Sequence, residues 1–145
     1  MAGEDVRDHP VDRLFYVVRA FERLFRDPDT GIGLSLAQFH ALAILADEEP
    51  LPAMNVAHRL QLAGPTASRI IEALERKGFV VKDRDPQDRR LIWLHLTDAG
   101  RSARERQHGI LEAWFRDLAD AIDPAVQEAG IRWLARLADT LQSRE

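Results

Sequence analysis

One stretch of this 145-residue chain alternates with a period of two, and helical segments surround it on both sides. In "LIWLHL", residues 91–96, Ile92, Leu94 and Leu96 fall on one face of an extended strand, with Trp93 and His95 on the other. "FVVKD", residues 79–83, is the matching run across a charged tip that contains Pro86. The pair predicts a β-hairpin. A single hairpin inside an otherwise helical chain restricts the fold to a mainly α class with a small β appendage.

The helical segments follow from spacing and punctuation. Apolar residues at 11, 14, 15, 17, 18, 21, 24 and 25 give a first helix with a wide apolar face. Pro28, Gly31 and Gly33 break it. Ser35 and Gln38 form a capping-box pair that opens a second helix, carried to about Glu48. Pro50 and Pro52 bracket a short extended link at Leu51, and Pro52 suits the first position of the short helix "PAMNVAHRL". After the turn "QLAG", Pro65 opens a helix that Gly78 ends. Thr97 suits a cap for a long helix from about Asp98 to Ile122, and Asp123-Pro124 starts the last one. Two short helices joined by a tight turn and followed by a hairpin make a winged helix-turn-helix, here over residues 35–97. The segments 8–27 and 98–143 are extra helices within a single domain, 1–145. Their apolar faces suit pairing with a second copy of the chain.

Charge is distributed unevenly. The net charge is −4, yet residues 58–106 carry +4 and the remainder −8. A basic middle in an acidic protein points to a local anionic partner. There is no cysteine, which excludes thiol chemistry and cysteine-ligated metals. No apolar run is long enough to span a bilayer. The acidic start "MAGEDVRDHPVDR" lacks a secretory core, so a cytoplasmic location and no membrane partner are expected. Walker, nucleophile-elbow and zinc-protease motifs are absent. No enzyme activity and no cofactor are expected.

On a helical wheel, Ala67, Ile70, Ile71 and Leu74 form the core face of the helix at 65–77. Arg69 and Arg76 lie opposite, beside Pro65 and Glu72, with Thr66 and Ser68 flanking them near the start. Small hydroxyls and an arginine in that place suit a DNA major groove. In the hairpin, strand parity separates two neighbouring arginines. Arg90 shares the buried parity and is expected to pair with Asp83, Asp85 or Asp88. Arg89 has the outward parity and suits a narrow minor groove. Lys82 and Arg84 would add phosphate contacts.

The ordered set "TASRIIEALERKGFV" (66–80) and "DRDPQDRRLIWLHLTDAG" (83–100) resembles the MarR family of bacterial transcriptional regulators. The family pattern is Leu-Glu-x-x-Gly, then Asp-x-x-Asp-x-Arg, then Leu-Thr-x-x-Gly. The outer helices match in number and position. The resemblance implies a homodimer held by the N-terminal and last two helices, reading a pseudo-palindromic double-stranded DNA operator. It implies that Thr66, Ser68 and Arg69 read the major groove and Arg89 the minor groove, and that Asp88 and Arg90 form a wing ion pair. The segment "PLPAMNVAHRLQLAGPTAS" departs from the family: Leu51, Pro52, Ala63 and Gly64 replace polar caps and turn residues, and Gly64 is a weak cap.

Family members often bind small aromatic or phenolic effectors between the two regions. Phe15, Arg19, Phe39, His40, Trp114 and Phe115 are the candidates here, weighed against plain core and dimer packing. His108 and Glu112, with His40, are the residues a metal would use, but they form no tight motif and no metal site is expected. The function expected is a dimeric, sequence-specific DNA-binding regulator, a repressor relieved by an effector. Two reading helices about 34 Å apart would enter successive major grooves. The alternative is a winged-helix protein-interaction module without DNA binding.

Overall fold

The alternating segment does form the hairpin, and the sheet gains a strand. The computed structural model describes residues 9–144. The elements in chain order are α1 (Pro10–Leu24), a 3-10 turn at Pro28–Thr30, α2 (Leu36–Glu48), β1 (Leu51–Pro52), α3 (Ala53–Arg59) and α4 (Gly64–Arg76). Then come β2 (Val80–Arg84), β3 (Ile92–Leu96), α5 (Asp98–Ala119) and α6 (Pro124–Gln142). The sheet is antiparallel with order β1-β3-β2. β1 pairs Leu51 with Leu94 and Pro52 with Trp93. Two residues between prolines are too few to show a period, so the sequence presented them only as an extended link. Residues 1–8 and 145, part of the expected domain 1–145, and residue 8 of the expected helix 8–27 lie outside the described residues.

Local chemistry accounts for most boundaries. Ser35 Oγ accepts from the Gln38 amide and the Gln38 side chain accepts from the Ser35 amide, completing the capping box of α2. α4 ends in a Schellman motif: the Gly78 amide donates to Glu75 O and the Phe79 amide to Leu74 O, with Gly78 at φ +74°. Two starts differ from expectation by one residue. α3 begins at Ala53, with Pro52 in the cap position. α4 has Ala63 at its cap and Gly64 already helical, and no side chain caps it. α5 stops at Ala119 rather than Ile122. There Gln127 Nε2 turns back from α6 and donates to Ala119 O and Ile122 O, at 2.6 and 2.8 Å. Asp123 Oδ1 caps α6 by accepting from the Ala125 amide.

The described chain divides into two compact units after His108. The first has its core among α2, α3, α4 and the sheet. Leu42, Leu45, Val56, Leu74, Val80 and Leu94 are essentially inaccessible. Each contributes about 1.5–3 kcal/mol by burial. Across α2 and α3, Arg59 grips Glu48 in a bidentate pair at 2.5 Å. The second unit holds the end of α5 and all of α6, and α6 buries no residue.

The start of α5 is locked to the base of the hairpin. Thr97 Oγ1 donates to Gly78 O at 2.6 Å and accepts from the Gly100 amide at 3.0 Å, while the Thr97 amide donates to Phe79 O. Gly100 is buried here because only a hydrogen fits: a Cβ would lie 2.1 Å from Phe79 O and 3.0 Å from its carbonyl carbon. Backbone, not a flexible side-chain tip, must therefore move to admit one. We expect Gly100→Ala to lose about 1–3 kcal/mol in chemical denaturation. Gly109→Ala, further along the same helix with open space around it, should gain about 0.5–1 kcal/mol. Equal effects of the two substitutions would refute the close-approach account.

Candidate nucleic-acid interface

α4 presents the face that the wheel places outward. Ala67, Ile71 and Leu74 are buried and Ile70 half-buried, while Thr66, Ser68, Arg69, Glu72 and Arg76 are exposed. The helix starts without a side-chain cap, Pro65 has no amide hydrogen to satisfy, and the Thr66 amide donates to Ala63 O.

In the wing, register decides which side chains reach α4. Lys82 stands opposite Leu94 and Arg84 opposite Ile92, so both lie on the sheet face that carries the buried leucines. Lys82 is thereby turned to α4, where its Nζ meets Glu75 Oε2 at 2.7 Å. Its ammonium thus serves as a brace between helix and strand, whereas a phosphate contact was expected of it. Arg84 is exposed and has no ion pair among the described residues.

The tip is organised by Asp85. Its Oδ1 accepts from the amides of Gln87 (2.8 Å) and Asp88 (3.0 Å), and its Oδ2 from Trp93 Nε1 (3.1 Å). The Asp88 amide, then the indole, then the Gln87 amide hold this carboxyl below the ordinary aspartate range. Asp88 plays a smaller version of the same part, accepting from the Arg90 amide at 2.9 Å. This corrects the expected Asp88–Arg90 ion pair, because Asp88 holds the backbone of Arg90 and not its guanidinium. Arg90 is exposed, as Arg89 is, and neither side chain has an ion pair among the described residues. Arg90 departs from the strand parity because regular pairing starts only at Ile92, and residues 89–90 form a turn. The buried parity holds for Leu94 and Leu96, with Ile92 half-buried.

Glu49 was not anticipated at all. Its Oε2 accepts from the Leu96 amide at 2.7 Å and its Oε1 pairs with Arg101 on α5. No local motif announces a contact between residues 47 positions apart.

The six effector candidates are divided between the two units. Arg19 lies over the Phe15 ring, 5.8 Å from its centroid, beside a shallow groove of about 420 Å³ along α1. Phe39 belongs instead to an aromatic stack, 5.8 Å from Phe25, which meets Phe21 at 5.3 Å. His40 is exposed. Trp114 is half-buried and Phe115 exposed, both in the second unit. Among the described residues, no three His, Asp or Glu side chains cluster as metal ligands, His40, His108 and Glu112 included.

A depressed carboxyl pKa stabilises the fold above the ordinary aspartate range and loses that contribution as pH falls through the folded value. The wing tip should therefore keep its order down to pH about 4 and loosen below it, seen as faster amide exchange at Gln87 and Asp88. Asp85→Ala should produce the same loosening at neutral pH and shift the Trp93 indole proton resonance. Arg90→Ala should leave both unchanged.

The fold has known counterparts. The sequence model of the MarR family matches residues 34–92, from the end of the loop before α2 to the start of β3. The HTH-type transcriptional regulator YkoM of Bacillus subtilis is 30% identical over 100 residues, which cover 64% of this chain and 65% of that protein. The match thus spans just under two thirds of that relative's length. The PcaV transcriptional regulator from Streptomyces coelicolor, solved in complex with its natural ligand, is 25% identical with a TM-score of 0.70, over 96% of this chain and 98% of the other. The transcriptional repressor CouR, solved bound to a 23-mer DNA duplex, is 29% identical with a TM-score of 0.69, over 86% and 90%. The MarR family model thus covers the winged helix-turn-helix part of the chain, and the structural matches cover most of its length.

Proposed function

We propose that the protein is a homodimeric, sequence-specific double-stranded DNA-binding transcriptional regulator that acts in the cytoplasm. One observation carries this reading. A single compact unit presents Arg69 and Arg76 outward on α4 and, at a tip held by Asp85, both Arg89 and Arg90 outward as well. α4 then enters the major groove through Thr66, Ser68 and Arg69, and Arg89 reaches the adjoining minor groove. Arg76, Arg84 and Arg90 are placed on phosphates. The DNA duplex in the CouR structure supports the same partner for this chain.

The outer helices support the dimer. α1 and α6 bury nothing among the described residues, yet α1 exposes Val11, Phe15 and Val18, and α6 exposes Ile131, Trp133 and Leu134. Apolar faces of this extent mark an interaction surface, and a second copy of the chain supplies matching faces by symmetry. The regions 8–27 and 98–143 are thus the dimerisation helices and 35–97 the DNA-binding part. Among the described residues no helix is long and apolar enough to cross a membrane, and the reading contains no catalytic step.

We place regulation by a small aromatic effector at Phe15 and Arg19, where a cation already lies over a ring. The ligand in the PcaV structure supports an effector of some kind. Binding there would act by favouring one spacing of the two reading helices over another, which makes the protein a repressor that its effector releases.

Duplex affinity should fall steeply with salt. Arg89→Ala should cost about 1–3 kcal/mol of operator binding per half-site with no change in melting temperature. A folded dimer that bound no duplex at low salt would point instead to a protein-interaction module.

A further inference from the structure

The outward stripe of α4 is not uniformly basic. On a wheel of 100° per residue, Glu72 stands roughly 60° from Arg69 and roughly 40° from Arg76, on the side opposite the buried Leu74. It sits between the two arginines along the axis, with Arg69 and Arg76 about 10 Å apart in rise. That distance is about three base-pair steps, since successive base pairs are about 3.4 Å apart.

Glu72 has an arginine one turn away on either side, at spacings that normally give ion pairs. Among the described residues it forms none, and it is exposed. The contrast lies on the same helix, where Glu75 is held by Lys82 at 2.7 Å. One carboxylate on α4 thus serves the fold, while the other is presented with its acceptor oxygens open.

A bare carboxylate on a surface that meets phosphates weakens binding to every sequence. It is a gain only where a donor awaits it. Carboxylates accept and do not donate. In the major groove they are repelled by guanine O6 and N7 and by thymine O4, and matched by an exocyclic amino group, above all cytosine N4. We propose that Glu72 is a specificity-determining residue that accepts from the N4 amino group of a cytosine lying between the bases or phosphates met by Arg69 and Arg76. This rests on the DNA-binding reading above and adds to it an assigned base. The arginines then supply affinity and Glu72 supplies rejection of wrong sequences.

The experiment is selection of bound duplexes from a random pool by the full-length protein and by Glu72→Gln and Glu72→Ala, with melting temperatures as a fold control. Wild type should enrich a palindrome with one cytosine per half-site preferred by about fivefold or more. Glu72→Ala should lose the preference at that position alone, Glu72→Gln should weaken it or shift it toward adenine, and both should bind unrelated duplex more tightly. If the variants enrich the wild-type motif unchanged at every position, the proposal fails while the regulator reading stands, even if their overall affinity rises. If wild type enriches no motif, the regulator reading itself fails.

Discussion

Two adjacent carbonyls, Gly78 O and Phe79 O, are where three parts of the molecule meet. The end of α4, the first residue of the wing and the first turn of α5 all converge on them, with Thr97 bonding to both and Gly100 packed against the second. Gly78 reverses α4 with a left-handed backbone and so aims these carbonyls at α5. The spacing Leu-Glu-x-x-Gly followed by Leu-Thr-x-x-Gly is therefore one joint in two pieces. The first piece makes the turn and supplies the acceptors. The second supplies a donor and a residue with no side chain to obstruct the approach.

The wing shows how an acidic chain can present basic side chains. Asp85 and Asp88 are spent on neutral backbone and indole donors, not on guanidinium groups. Had they paired with Arg89 or Arg90, the guanidinium donors themselves would be occupied. Using carboxylates to fold the turn leaves the arginine charge for a polyanion. The acidic residues nevertheless lower the local potential, which limits indiscriminate attraction.

What was legible in the sequence was local. The capping box at Ser35, the stop at Gly78, the cap at Asp123 and the alternation in 91–96 each depend on residues within a few positions of one another. The features missed depend on register or distance. Lys82 reads from sequence as a phosphate contact because its partner Glu75 lies across a helix-to-strand turn. Arg90 reads as inward only if strand parity extends past Ile92, the last paired residue. Glu49 carried no signal, and β1 was too short to have a period. For the candidate site, the outward positions on α4 were readable because a helix fixes direction from sequence number. The effector set was less readable, since an aromatic residue such as Phe39 serves a core stack as readily as a pocket.

The contact at Glu49 has a mechanical consequence. In the register that pairs Leu51 with Leu94, residue 49 falls opposite Leu96, so the Glu49 side chain takes the place of the next rung of the ladder. The same carboxylate holds Arg101. The sheet is therefore fastened to α5 on both margins, through Thr97 at the foot of β2 and through Glu49 beside β1. A lever clamped at two points cannot swivel about either. The first turn of α5 thus holds the end of α4 and both edges of the sheet through two separate attachments.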